Sequence, residues 1–298
     1  MAKLKEVLAF VNNKGGVAKT TTVQNVAAGI IRKNPKAKIL VIDLDPQSHL
    51  SLLMRWSQVK DNLINDGTAK VYPVDEETKE VHFPTITDVL GKAETDGQLT
   101  IYPSYIDGLW FIPASRDLES IDSKFNEMIQ PNLALEQLFG VNYLLPGEIT
   151  AAEERFIADD FDYIFIDCPP ALGKLSYNAL SCATGIIIPV QLEALSTYGL
   201  SRVIEAYTKV KKFINKELSI RGLLFVMADK RMKVTKETMA SIRDRYTTTV
   251  FNTVISLRAA IRESQFVPTD IFDYDQNCAA AKNYAEFVDE LLSTSPSD

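Results

Sequence analysis

The 298-residue chain is 46% apolar, carries a formal net charge of −7, and holds only 3 cysteines and 2 histidines. That apolar content is ample for a buried core, while the scattered Cys168, Cys182 and Cys278 give no disulfide framework and no C-x-x-C, and His49 with His82 cannot build a histidine zinc site. No apolar run approaches the length of a membrane span and the first residues lack the order of a signal peptide, so a soluble, cytoplasmic protein is expected.

Residues 7–11 form a short apolar run of the kind a buried parallel strand shows, and it stops at the turn formers Asn12 and Asn13. Lys14, Gly15, Gly16, Val17, Ala18, Lys19 and Thr20 then form a glycine-containing loop, and residues 20–32 read as a helix with Val23, Val26, Ala27, Ile30 and Ile31 on one face. Strand, loop, helix is the context of a phosphate-binding loop: backbone N–H groups and the helix dipole converge on one point and favour an anion there. In that reading Lys19 lies over the β- and γ-phosphates and the Thr20 hydroxyl ligates Mg²⁺. The pattern G-x-x-x-x-G-K-[ST] is not met, because Asn13 and Ala18 stand where the framing glycines belong. A left-handed backbone at Ala18 would cost on the order of 1 kcal/mol, so a right-handed one is expected.

After Pro35, residues 38–43 read as a second buried strand ending in Asp43-Leu44-Asp45-Pro46-Gln47. Two carboxylates at the carboxyl end of a strand lie where open α/β sheets keep their ligands, although an isolated D-x-D-P is as readily a solvated turn. Residues 57–108 are the least patterned, with an acidic hairpin expected within 68–83, a helical turn at 86–90, and then a strand at 108–115 that delivers a helix start at Ser115. Residues 151–159 read as helical, and 163–167 as a strongly apolar strand ending in Asp167, followed by Cys168-Pro169-Pro170. An Asp at a strand end is the Walker B pattern, which holds the Mg²⁺ hydration shell opposite Thr20. Further strands are expected at 184–190, 221–227 and 250–255, and helices from Ser196, at 234–246 and at 279–292, with a flexible tail at 293–298. Strands alternating with helices predict one α/β domain over 1–292, a doubly wound, mostly parallel sheet with helices on both faces.

The acidic total hides an asymmetry. Between Arg202 and Arg262 there are fourteen Lys/Arg against five Asp/Glu, a net of +9 that leaves −16 for the rest of the chain. Such a segment suggests a polyanion-binding face, and Arg202, Lys209, Lys211, Lys212 and Lys216 are its leading candidates, with Lys209, Lys212 and Lys216 at spacings that share a helix face.

The second lysine, Lys14, directly before Gly15-Gly16, resembles the deviant Walker A motif of the ParA/MinD family of P-loop ATPases. The resemblance extends to Asp43 through Gln47, to the D-x-P-P run at Asp167, to Pro189-Val190-Gln191 with Glu193, and to Gly108-Leu109 with Ile112-Pro113-Ala114-Ser115. It implies ATP and Mg²⁺ as cofactors, bound by Lys14, Gly15, Gly16, Val17, Ala18, Lys19, Thr20 and Thr21, with the metal at Thr20, Asp43 and Asp167, partly through water. It further implies that Lys14 reaches the nucleotide of the other subunit in an ATP-dependent homodimer, and that Asp45 positions and polarises the attacking water. Family members have a shorter connection where this chain has 57–108, so an insertion is expected there.

Within the family, a MinD-type protein would end in a basic amphipathic membrane helix, whereas this chain ends AEFVDELLSTSPSD. Iron-protein relatives need cluster-bridging cysteines, and larger ParA proteins begin with a helix-turn-helix extension. The resemblance therefore points to a short, Soj-like partition ATPase: nucleoid-associated, bound to double-stranded DNA without sequence preference, slow to hydrolyse ATP, stimulated by a ParB-type partner, and without a membrane. Where family members place a DNA-contacting arginine, this chain has Thr208, beside Lys209, Lys211 and Lys212. The alternatives are a MinD-like or other positioning ATPase acting on a protein cargo, and a non-enzymatic nucleotide-dependent scaffold, the latter disfavoured by Asp45.

Overall fold

The first strand sets the two layers of the protein. In β1 (Glu6–Phe10), Val7 and Ala9 face one apolar cluster while Leu8 and Phe10 face the other, because successive side chains of a strand point to opposite faces. The same division runs through β2 (Ile39–Asp43) and β7 (Tyr163–Asp167), every residue of which is buried. Both faces of the sheet are covered, and this is why parallel strands read as continuous apolar runs. The computed structural model describes residues 4–90, 99–128, 131–148, 155–193, 196–246 and 250–294.

The remaining strands are β3 (Leu99–Thr100), β4 (Tyr102–Pro103), β5 (Leu109–Ile112), β6 (Tyr143–Leu144), β8 (Gly185–Gln191), β9 (Ser219–Ala228) and β10 (Val250–Ser256). Among the described residues, eight of the ten strands form one sheet in the order β10-β9-β8-β1-β7-β2-β5-β4, parallel except for β4 at the edge, and β3 pairs with β6 separately. This is the doubly wound, mostly parallel α/β sheet expected of a P-loop NTPase. β1 lies between β7 and β8, so the chain departs from it in both directions, and the crevice above the carboxyl ends of β1, β7 and β2 is where such sheets bind ligands.

The helix Lys19–Lys33 buries Val23, Val26, Ala27, Ile30 and Ile31 as its periodicity requires. It packs against the closing helix Ala279–Ser293 so closely that a Cβ added at Gly29 would lie 2.8 Å from Val288 Cγ2. The described residues within 57–108 form more regular structure than their pattern suggests. A helix at Trp56–Asn65 and a one-turn helix at Ile86–Val89, closed by a Thr85/Asp88 capping box, flank a narrow hairpin bridged at Val74 and Val81. The Trp56 ring meets Phe83, Tyr102 and Phe111. These aromatics are irregularly spaced in sequence and leave no period to read.

Two expectations need adjustment. The helix expected over 151–159 is a single turn at Ile157–Asp160, since Phe156 bridges to Asn142 in an extended conformation; residues 151–154 lie outside the described residues. The closing helix runs on through Ser293, and of the tail only Thr294 is also described, 295–298 lying outside. Residues 91–98 of the expected insertion lie outside as well. Among the described residues, no helix is long and apolar enough to cross a membrane.

Candidate nucleotide site

The loop after β1 is pinned at its start by Asn12. The Asn12 Nδ2 donates to Pro189 O on β8 at 2.6 Å, and its Oδ1 accepts the Lys14 N–H at 3.0 Å. Gly16 adopts φ 73°, as a glycine in a tight loop can. Ala18 also lies in the left-handed region, at φ 55° and ψ 31°, against the right-handed conformation expected from its methyl. Two local bonds hold it there, the Thr22 N–H and hydroxyl one helical turn on both donating to Ala18 O at 2.9 and 2.6 Å, and the residue also packs against the core. Those bonds offset a strain of about 1 kcal/mol. The helix that follows has no side-chain N-cap, so its first N–H groups remain available to an anion.

Lys19 is buried, and its ammonium donates to Lys14 O at 3.3 Å. Burial pulls its pKa down, with the neighbouring Asp167 the largest opposing influence. Asp43 and Asp167 end β2 and β7 as register partners, both almost wholly buried. Burial pushes both carboxyls up, and Asp43 pushes Asp167 further. The Thr20 hydroxyl donates to Asp167 Oδ2 at 2.6 Å, while Asp167 Oδ1 is buried with no hydrogen-bond partner.

That orphaned oxygen is the test of whether magnesium fits. A hydroxyl and a carboxylate with an unsatisfied oxygen, next to a second acid, form an all-oxygen donor set. No group of three or more His, Cys, Asp or Glu that could hold a metal occurs among the described residues. A sparse oxygen site of this kind suits Mg²⁺, which keeps several waters and takes one or two carboxylates plus phosphate oxygens. Asp43 is placed differently from Asp167: its Oδ1 accepts the Asp45 N–H at 3.0 Å, and its Oδ2 accepts from Ser51. Asp45 is half-buried, with Oδ1 accepting the Gln47 N–H at 3.0 Å.

A cavity of about 470 Å³ opens onto Lys19, Thr20 and Asp45, with Asp167 reached through its bond from Thr20. Residues 15–21, Asp45 and Pro170 line one end, and Val226, Met227, Ile255, Ile261 and Tyr284 give the other an apolar wall. The polar end suits phosphates and the apolar end a base. Sequence reasoning missed that second wall. Its residues come from β9, β10, the helix Ala259–Phe266 and the closing helix, and Met227 carries a left-handed φ of 54° that no local pattern announces. Gln265, also missed, donates to Thr21 Oγ1 at 2.6 Å. Lys14 lies at the rim, its ammonium 2.5 Å from Glu193 Oε2 and 3.3 Å from Gln191 Oε1.

The basic segment does not form one face. Arg202, Lys209, Lys211, Lys212 and Lys216 are exposed on or just beyond the helix Ser196–Phe213, with Lys209 paired to Glu205 and Lys211 donating to Leu218 O. Arg221 is instead buried against Glu6, and Arg258 with Arg262 lines the cavity.

Comparison with known proteins agrees with this geometry. The family model for an AAA domain matches residues 5–220. The chromosome-partitioning ATPase Soj of Treponema pallidum is 30% identical over 289 residues, 97% of this chain and 97% of that protein. Cobyrinic acid a,c-diamide synthase of Mycobacterium smegmatis, solved with ADP and magnesium, is 26% identical, with a TM-score of 0.66 over 97% of this chain and 94% of its own. McdA of Cyanothece in complex with ATP shares the fold at a TM-score of 0.72 and 17% identity, covering 99% of each chain.

Proposed function

The chain belongs to the ParA/MinD family of P-loop ATPases and hydrolyses ATP with magnesium, and from that premise we propose that it is a Soj-like DNA-partition ATPase. Its ATP-bound homodimer binds double-stranded DNA without sequence preference, on the nucleoid in the cytoplasm, and a ParB-type partner accelerates an otherwise slow hydrolysis. The observation that carries this reading is the convergence of Lys19, Asp45 and the Thr20–Asp167 pair at one cavity, with a second lysine, Lys14, at its rim. The similarity to a chromosome-partitioning ATPase along 97% of the chain supports the cargo class.

The residues divide the chemistry between them. Residues 15–21 hold the phosphates through backbone N–H groups, and Lys19 places its charge beside them. Magnesium, held by Thr20 and Asp167 with Asp43 behind them, neutralises phosphate charge when bound. Asp45 uses Oδ1 for the Gln47 N–H and keeps Oδ2 for the attacking water, which it aligns and polarises. Within one subunit Lys14 is engaged by Glu193 and Gln191 rather than by the phosphates. In this reading a second copy's Lys14 adds a further cation to the one Lys19 already supplies, and hydrolysis by the monomer, which lacks that addition, is slow.

Lys209 and Lys212 are exposed three residues apart on the helix Ser196–Phe213 and support a DNA role for it, whereas Lys216 lies past the helix end and does not share that face. The test is retention on random-sequence DNA with Mg·ATP, with ADP and without nucleotide, across a salt titration. Retention that needs ATP and falls with salt is expected; no retention, or retention indifferent to nucleotide, overturns the partition reading.

A further inference from the structure

One hydroxyl joins three parts of the chain behind the site. Asp43 Oδ2 accepts both the Ser51 N–H at 2.8 Å and the Ser51 hydroxyl at 2.7 Å, and Ser51 Oγ in turn accepts the Ala114 N–H at 3.0 Å. Ser51 belongs to the short helix His49–Leu53, Asp43 ends β2, and Ala114 follows β5. Asp43 and Ser51 are each 1% exposed and Ala114 is 4% exposed, so water does not compete for these bonds. The other oxygen of Asp43 accepts the Asp45 N–H at 3.0 Å. Asp45 is thus hung by its backbone from a carboxylate whose own orientation Ser51 fixes.

We propose that Ser51 is a positioning residue for ATP hydrolysis, acting through Asp43 on Asp45. Hydrogen bonds to a carboxylate are short and strong, and a hydroxyl whose proton and lone pair are both engaged has one orientation. Removing it leaves the Ala114 N–H without a partner and Asp43 with one donor fewer on Oδ2. The carboxylate can then turn, and the peptide at Asp45 turns with it. The phosphate loop makes none of these contacts, so nucleotide binding is preserved while the water-aligning group is misplaced.

The inference rests on the reading of Asp45 as the water-positioning group, and the experiment separates the two. Hydrolysis at saturating Mg·ATP, affinity for a non-hydrolysable ATP analogue, and thermal melting are measured for the parent, Ser51→Ala, Ser51→Thr and Asp45→Ala. Since a misplacement of ~1 Å can cost ~10²-fold, Ser51→Ala is expected to lower kcat about tenfold or more with analogue affinity within about twofold of the parent. Ser51→Thr, which keeps the hydroxyl, recovers most of the rate. The inference is overturned by parent-like hydrolysis in Ser51→Ala, by a loss of analogue affinity that matches the loss of rate, or by a Ser51→Thr protein that melts like the parent yet stays as slow as Ser51→Ala. If Ser51→Ala does not fold, Ser51→Cys takes its place under the same criteria, since it keeps the volume but only a weak S–H donor. An Asp45→Ala protein that hydrolyses at the parent rate removes the Asp45 reading instead. A slow Asp45→Ala beside a parent-like Ser51→Ala removes the Ser51 inference alone.

Discussion

Lys14 Nζ lies 2.5 Å from Glu193 Oε2 of its own chain, 179 residues away in sequence. Both side chains are about half exposed, and an ion pair in such surroundings contributes only ~0–1 kcal/mol. Lys14 is therefore lightly held and can be released to a second subunit at little cost. Lys14→Ala should bind Mg·ATP much as the parent does, but fail to dimerise with ATP and fail to turn over. Sedimentation with ATP decides the point, and a normal ATP dimer with normal turnover makes Lys14 an ordinary loop lysine.

Lys19 has the opposite character, being buried where the charges of Asp167 and Asp45 act on it. Lys19→Ala should fold but lose nucleotide binding. Thermal melting reads this directly: ligand at ~100 times its dissociation constant stabilises a protein by ~2.7 kcal/mol, so Mg·ATP should raise the parent's melting temperature and leave the variant's unmoved. An equal rise in both would show that Lys19 is not a phosphate ligand.

In the metal-free protein, Asp43 and Asp167 crowd two buried carboxyls together, and burial followed by the charge of Asp43 raises the pKa of Asp167. A carboxyl raised in the folded state stabilises below its unfolded pKa, and that stability is lost as pH rises through the folded value. With metal chelated, Asp167→Asn should therefore melt higher than the parent at neutral and alkaline pH, with the gap closing toward acid. The same variant should lose magnesium-dependent ATP binding. A variant less stable than the parent at every pH would show that the Thr20 bond outweighs the desolvation.

The proposed DNA contact of the helix Ser196–Phe213 is tested by charge reversal. Lys209 and Lys212 are exposed on one helix, and Lys209 pairs with the exposed Glu205. Lys209→Glu with Lys212→Glu should weaken binding equally on all sequences and reduce the salt slope by about 0.9 per lost phosphate contact. ATP affinity should not change. Unaltered retention across a salt titration would place DNA binding on another surface.

Arg221 tests a different use of a basic residue. Its side chain is 4% exposed, lies 2.6 Å from Glu6 Oε1, and donates to Leu291 O and Thr294 O at the end of the closing helix. Breaking a buried pair from one side costs about 3–5 kcal/mol, so Arg221→Ala should destabilise the fold by that order in denaturant melts while DNA binding per folded molecule stays unchanged. A melt within error of the parent would mean the pair adds nothing to the fold.

The sequence by itself determined what is local. Runs such as 7–11, 38–43 and 163–167 are apolar because both faces of each strand are covered, and Asp43, Asp45 and Asp167 stand at strand ends because a turn follows there. The loop with Lys14, Lys19 and Thr20 was legible for the same reason, since strand, glycine loop and helix are contiguous. Tertiary structure decided the rest. Arg221 is buried because Glu6 lies 215 residues away in the chain but beside it in space, and Ser51 meets Ala114 across 63 residues. The apolar end of the cavity and the scattering of the basic segment over several places likewise depend on where β9, β10 and the helices Ser196–Phe213 and Lys233–Arg245 come to lie. A periodic pattern records which side of an element meets the core, because burial acts on each residue in turn. Which distant residue it meets there is fixed only when the strands are ordered and packed.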